Sequence, residues 1–422
     1  MKKIISVLIM LVIIFSFYIF FQFENNYKNN KQNVKSKLMI DLNKYEISEI
    51  KKFAKENDLN LIINEIYTDE YEKNSIISQS IQINQEYKSG DKLIIDFAIG
   101  NLEDKKLLYK DSYISNNVNE LGRVPIMMYH GIHNKKNSET IYTGGNVDKD
   151  GYQRTAEAFR NDLEFYYKNG YRMIRLTDYV DGKIDVEIGK SPIILTFDDG
   201  LQNNINIIGL DENNNLIIDP NCAIGILEEY KKKYPDFNVT ATFFVNIELF
   251  NQPEYNAKIL TWLIENGYDV GNHTADHPDF TKINNNYVNY QIGSVYEKLN
   301  TIISNNYVNI VALPYGSPYT KKHNNFYNIL KAEYNGVDYV TKTTLRVGWE
   351  SDYSPFSIDF DKEFIKRIRA YDNNGIEFDI SYNFEFLKNN RYISDGNIST
   401  IVVKEEDLSF VNNSYNLEVI TY

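Results

Sequence analysis

Residues 193–200 read IILTFDDG. The run from Ile193 to Phe197 has the pattern of a buried strand, apolar almost throughout and bounded by a glycine turn. It ends by delivering two adjacent carboxylates, Asp198 and Asp199, followed by Gly200. Two like charges side by side raise each other's pKa, most of all where a core strand places them. The sequence must therefore supply a compensating metal or cation elsewhere.

Working outward, strands and helices alternate from Val124 on. VPIMMYH (124–130) reads as a first strand, TAEAFRNDLEFYYKNGY (155–171) as a helix stopped by Gly170, and AIGILEEYKKKY (223–234) as another helix. VTATFFVN (239–246) is a strand, KILTWLIENGY (258–268) leads into DVGNHTADH, and a long helix near 286–304 precedes the strand NIVALPYG. GVDYV (336–340) is a further strand, and residues 376–422 look strand-rich, suited to capping one end. The alternation predicts an α/β fold with a mostly parallel sheet, closed as a barrel of fewer than eight β/α units.

The second chemical signal is HTADH at 273–277. His273 and His277 are four apart, so on one helical turn both imidazoles would face the same point. One carboxylate and two histidines fit a divalent transition metal with open positions for water and substrate. Such a metal lowers the pKa of bound water, which a hydrolase needs. The competing reading is two ordinary surface histidines. The chain has only five histidines, and two of them stand at this spacing beside a strand end.

TFDDG, HTADH and LPYG, in that order, resemble the motifs of the polysaccharide deacetylases of the NodB-homology group, carbohydrate esterase family 4. The resemblance covers roughly residues 123–422. It implies a distorted (β/α) barrel with its site at the C-terminal ends of the strands. It also implies Asp198 as catalytic base and Asp199, His273 and His277 as metal ligands. Pro314 and Tyr315 would contact substrate, the Tyr315 backbone N–H serving the oxyanion. Zinc is the first choice of metal, with cobalt, nickel or manganese as alternatives.

Three positions depart from the family pattern. Its arginine, which orients the base two residues before the motif proline, is here Ala312. FIKRIRA (364–370) offers Arg367 and Arg369, which would share one face of a strand. Arg367 is the candidate cation for Asp198; the alternative is a solvated charge run. Trp349, in LRVGWESDYSPF, stands for the family's late tryptophan and lines a pocket or fills the core. The family's late acidic histidine is missing, since no histidine follows His323. His130, at the end of the first strand, either donates the leaving-group proton or bonds a loop. The glycine-rich stretch 141–155 is placed to shape a glycan groove. DENNNLIID (211–219) lacks the glycine and glutamate of a calcium loop and is rejected as one.

The rest of the chain supplies context. With 422 residues, 43% of them hydrophobic, it has material for one large and one small domain. A formal charge of −13 argues against a nucleic-acid partner. Cys222 is the single cysteine, which excludes an intrachain disulfide and any multi-cysteine metal site. Lys2 and Lys3 precede an apolar run from Ile4 to Phe21 without an Ala-x-Ala cleavage site, so residues 1–23 read as an uncleaved transmembrane signal anchor. Residues 24–37 read as a polar linker. SEIKKFAKENDLNL (48–61) has helical spacing, and LIINEIY, SIISQSIQI and KLIIDFAIG are strand-like, the last two joined as a hairpin. This small α+β module, 38–100, resembles a PASTA domain and implies affinity for peptidoglycan; residues 101–122 would connect it to the deacetylase-like region, 123–422.

Together these readings predict a single-pass membrane protein facing the cell wall, or a secreted one if the anchor is cleaved. It would remove N-acetyl groups from amino sugars of a wall glycan, peptidoglycan first. The rival is a wall-binding protein whose catalytic domain has decayed, and a third possibility is hydrolysis of a non-sugar amide. Oligomeric state is not legible.

Overall fold

The computed structural model describes residues 36–422, Glu377 excepted. They fall into two compact units, divided between Ser112 and Tyr113 within the helix Leu102–Ser115. The proposed signal anchor and most of the linker lie outside the described residues. Among the described residues no helix is long and apolar enough to cross a membrane.

In the first unit the helix Ile47–Glu56 packs Ile50 and Ala54 onto a three-stranded sheet. The strand Lys92–Gly100 is central, parallel to Asn60–Tyr67 and antiparallel to Ile76–Gln79. Met39, Leu42, Leu93 and Ile95 complete a small core. The hairpin expected between the last two strands is present. Its first strand runs to Gln79, whose side chain donates to the Ile40 and Ile81 carbonyls.

The second unit is built on nine strands, named here in chain order: β1 Ile126–Tyr129, β2 Tyr171–Met173, β3 Ser191–Phe197, β4 Thr242–Val245, β5 Asp269–Asn272, β6 Ile310–Ala312, β7 Thr343–Leu345, β8 Phe364–Ile365 and β9 Ile368–Arg369. Their spatial order is β8-β7-β6-β5-β4-β3-β1-β9, with β2 beside β3, and every pairing is parallel. All seven residues of β3 are buried, as a strand covered on both faces requires. The two edge strands β8 and β9 are consecutive in sequence, separated only by Lys366 and Arg367. The sheet therefore curls until the chain itself bridges its edges, giving the expected barrel-like (β/α) architecture.

Helices α1 Ala156–Lys168, α2 Ala223–Lys233, α3 Asn256–Glu265 and α4 Asn285–Ile303 run between strands. In α1 the Thr155 hydroxyl caps the start by accepting from Ala158 N–H, and Phe159, Asp162, Leu163 and Tyr166 form its buried stripe. Tyr129, Phe197 and Phe243 stack in sequence across β1, β3 and β4 with centroids 5.4 and 4.8 Å apart. Each such pair adds about 0.5–1.5 kcal/mol beyond its burial. This stack stiffens the strands directly beneath the carboxylates.

Three expectations are corrected. GVDYV is a strand, Val337–Val340, but it pairs antiparallel with Lys331–Tyr334 outside the barrel sheet, which instead uses Thr343–Leu345. The C-terminal region is less strand-rich than its composition suggested. Ile380–Asn390 is a helix capped by Asp379, and Thr400–Val403 pairs with Glu418–Thr421, the remaining pairing among the described residues being single bridges at Arg391, Ile393 and Val411. Finally, HTADH is a loop. Asn272 Oδ1 takes the Thr274 N–H and Thr274 Oγ1 takes the His277 N–H, so side chains replace the bonds a helical turn would make.

Candidate metal and catalytic centre

Parallel register brings the chemistry to one end of the barrel. Phe197 pairs with Tyr129, so Asp198 and His130 leave adjacent strands at the same level. Asp198 N–H donates to the Tyr129 carbonyl and His273 N–H to that of Val245, which continues the ladder by one residue into the site. A cavity of about 300 Å³ there is lined by His130, Tyr152, Gln153, Asp198, Asp199, His273, His277, Leu313, Tyr315 and Val347.

Asp199 has φ +73°, a left-handed conformation that aspartate tolerates better than most residues. The turn swings its carboxylate away from Asp198 toward the histidines. His273 Nε2 lies 3.1 Å and His277 Nε2 3.6 Å from Asp199 Oδ1. Among the described residues these three form a group able to hold a metal, with ligand atoms all within 4.8 Å of one another. His273 Nδ1–H donates to the Ala312 carbonyl at 2.9 Å, which leaves Nε2 as the ring's lone-pair nitrogen. That nitrogen is buried without a hydrogen-bond partner. A buried, unsatisfied imidazole nitrogen facing a carboxylate fits a divalent cation between them. Burial opposes the charge on Asp199, but the His273 imidazole 3.1 Å away and the surrounding histidines hold its carboxyl well below the usual range.

Asp198 meets a different partner. Arg367 Nη1 donates to Oδ1 at 2.8 Å and Nη2 to Oδ2 at 2.7 Å, with Arg367 0% and Asp198 2% exposed. Arg367 is itself aimed by its Nε–H, which donates to the Arg346 carbonyl, and by a bond to Thr196 Oγ1. Burial pushes the Asp198 carboxyl up, and the guanidinium with His273 outweighs it, so the group sits below its ordinary value. Ala312, where a family arginine was sought, contributes only its carbonyl to His273. Arg369, the other arginine of the stretch 364–370, is engaged by aromatic rings, Tyr152 and Tyr371, 4.9 and 4.0 Å from their centroids.

His130 is buried in the cavity wall, edge-on to Tyr152 at 4.9 Å, and burial lowers its pKa. Its backbone carbonyl, not its ring, takes the loop bond from Asn204. Tyr315 stands at the lip with φ +56°, its ring edge-on to His277 at 4.7 Å, and Pro314 is buried beneath it. His323 caps a short helix away from this cavity. Trp349 is in neither place considered for it: it is 61% exposed and does not line the cavity. Gly348 presses its backbone against the Arg367 carbonyl, which carries the chain past the cavity, and Asn383 Nδ2 then holds the Trp349 carbonyl. Val347 lines the cavity instead.

Tyr152, Gln153, Thr196, Leu313 and Val347 were not singled out from the sequence. The loop carrying the first two was, by its length and glycine content. Thr196 lay inside the motif itself, and its hydroxyl donates to the Met127 carbonyl while accepting from Arg367.

A family model described as polysaccharide deacetylase matches residues 223–335, and the PASTA domain model matches residues 38–98. The first match holds His273, His277, Pro314 and Tyr315; Asp198, Asp199 and Arg367 lie outside it. No curated protein shows significant similarity to the chain. Among solved structures, a Streptococcus pyogenes deacetylase, PplD, in complex with acetate is 18% identical, with 60% of this chain and 94% of that chain covered and a TM-score of 0.43. A de-N-acetylase from Aggregatibacter actinomycetemcomitans is 12% identical over 63% of this chain and 99% of that one, TM-score 0.40. The Bc1960 peptidoglycan N-acetylglucosamine deacetylase is 24% identical over 36% and 55%, TM-score 0.21.

Proposed function

We propose that the chain hydrolyses the N-acetyl group of amino sugars in a cell-wall polysaccharide, peptidoglycan foremost, using a divalent transition metal held by Asp199, His273 and His277. The observation that carries this reading is the separation of the two adjacent carboxylates. Asp199 turns to two histidines, and Asp198 turns to a buried arginine, within one cavity.

When bound there, a divalent metal supplies Lewis acidity toward an acetamide carbonyl and toward water. Zinc is preferred for its tolerance of mixed nitrogen and oxygen ligands with an open position. Asp198, kept ionised by Arg367, accepts the proton of the attacking water. The fork of Arg367 fixes the plane of that carboxylate, leaving its remaining lone pairs for the cavity. The Tyr315 backbone N–H serves the developing oxyanion. His130, level with Asp198 on the neighbouring strand, is the group placed to protonate the leaving amine.

The PASTA match favours peptidoglycan over other acetylated glycans, and the apolar run 4–21 favours anchorage at the membrane with the catalytic unit facing the wall. The cation beside Asp198 counts against a decayed catalytic domain. The test is acetate release by the full chain, loaded with Zn²⁺ or Co²⁺, from acetylated glucosamine oligosaccharides and from peptidoglycan. Release that Asp198→Asn abolishes supports the reading. Equal absence of release from wild type and Asp198→Asn on every glycan overturns it.

A further inference from the structure

Part of the cavity's wall, Tyr152 and Gln153, comes from the loop between β1 and α1. Asp148 organises that loop, its carboxylate accepting the N–H groups of Asp150, Tyr152 and Gln153 at 2.9, 3.2 and 2.6 Å. Val147 N–H donates to the Gln153 carbonyl, and Arg154 N–H to that of Gly131 just beyond β1. Asn146 ties the loop to the other side of the seam, its Nδ2 donating to the Asp372 carbonyl at 2.8 Å. A loop bonded this densely presents its side chains in fixed positions.

Gln153 is the one residue among the cavity's lining with a side-chain amide, and its two ends have different fates. Oε1 lies 3.0 Å from His133 Nε2, which donates to it. It crosses directly over Gly131, where any Cβ would overlap that oxygen. The glycine is thus what allows Gln153 to lie against the end of β1. Nε2 makes no hydrogen bond among the described residues, and it is not among their buried unsatisfied atoms. A fixed amide with its acceptor consumed and its N–H₂ open beside a candidate metal is a preorganised donor.

Resting on the deacetylase reading, we infer that Gln153 is a substrate-anchoring residue. Its Nε2–H donates to an oxygen of the amino-sugar ring next to the acetamide, on the His130 side of the cavity, and His133 holds the amide in the orientation that presents this donor. Gln153 neither ligates the metal nor transfers a proton. Its contribution is to ground-state and transition-state binding alike, which appears in KM and not in kcat.

The experiment measures kcat and KM for acetate release from acetylated glucosamine oligosaccharides with the full-length protein, its Gln153→Ala and Gln153→Glu forms, and His133→Phe. Zn²⁺ affinity is measured calorimetrically in each. Losing one hydrogen bond predicts a KM increase of about 3–10-fold for both Gln153 variants, with kcat within about twofold and Zn²⁺ affinity unchanged. His133→Phe gives a smaller KM increase, because the amide stays but is free to turn. Unchanged KM in both Gln153 variants overturns the inference, as does a fall in kcat alone or a loss of Zn²⁺ affinity. Absence of acetate release from wild type overturns the deacetylase reading and this inference with it; release by wild type with unaltered Gln153 variants overturns only the latter.

Discussion

Arg367 and Asp198 stand 169 residues apart in sequence and meet as a buried fork, 2.7 and 2.8 Å, at the point where the barrel's two edges join. The chain needs only Lys366 and Arg367 to pass from β8 to β9, and the second of them is the partner of Asp198. The closure of the sheet and the electrostatics of the site are therefore one feature.

Removing the cation leaves a carboxylate buried and unpaired, which costs about 3–5 kcal/mol. Arg367→Ala is expected to lower the urea midpoint and to reduce acetate release on the order of 100-fold or more, since Asp198 loses both its charge partner and its orientation. Arg367→Lys retains the charge without the fork and should fall between. The Asp198→Asn/Arg367→Ala double variant should regain much of the lost stability but none of the activity. If it is no more stable than Arg367→Ala alone, the unpaired charge is not the cause.

The same junction makes Gly348 sensitive for a purely steric reason. A Cβ there would overlap the Arg367 carbonyl oxygen and crowd the Ile368 nitrogen, both of them backbone atoms. Gly348→Ala should force the seam apart, costing about 1–3 kcal/mol as overpacking generally does. Because it displaces Arg367 without touching the cavity, activity should fall while Zn²⁺ affinity, read by titration calorimetry, stays within about threefold. A fully active, equally stable Gly348→Ala protein would contradict the seam argument.

Much of this site was legible because its chemistry is local. TFDDG puts two carboxylates on one strand end, and HTADH carries two imidazoles in five residues, so residue type and spacing carried the message. The helical turn inferred for HTADH failed because spacing alone cannot distinguish a helix from a loop whose bonds come from Asn272 and Thr274. Trp349 failed for a longer-range reason, the close packing of Gly348 against a strand that follows it in sequence. Gln153 was hidden because its position depends on Gly131 and His133, which only the parallel register brings beneath it. The strand Thr343–Leu345 was missed because three residues carry too little periodicity to read.

The two histidines should differ when removed. His273 is buried and bonded to the Ala312 carbonyl, whereas His277 is a third exposed and touches Tyr315 at the lip. His273→Ala is expected to lower both Zn²⁺ affinity and stability, the latter by about 1–3 kcal/mol through the cavity and the unpaired carbonyl. His277→Ala should lower affinity while leaving the metal-free protein nearly as stable as wild type. Zn²⁺ at 100 times its Kd should stabilise wild type by about 2.7 kcal/mol, a rise in melting temperature that chelator reverses. Neither variant should show that rise at the same Zn²⁺ concentration. An undiminished rise in both would remove the metal site.

Asp269 opens β5 at the barrel end remote from the cavity, with one carboxylate oxygen buried and unpartnered and Arg175 3.5 Å from the other. Burial pushes its carboxyl up to about 6, despite the opposing pull of Arg175. A carboxyl whose folded value is raised binds its proton more tightly in the native state. Its stabilising contribution is complete below the unfolded value and is lost as pH rises through about 6. Between about pH 4 and pH 7 this one group should withdraw about 3 kcal/mol of stability at most. Asp269→Asn keeps the shape and removes the titration. The variant is therefore expected to gain on wild type steadily as pH rises across that window, measured by urea unfolding at fixed ionic strength. If the stability difference between the two proteins is the same at pH 4 and pH 7, Asp269 is ionised throughout and the raised value is wrong.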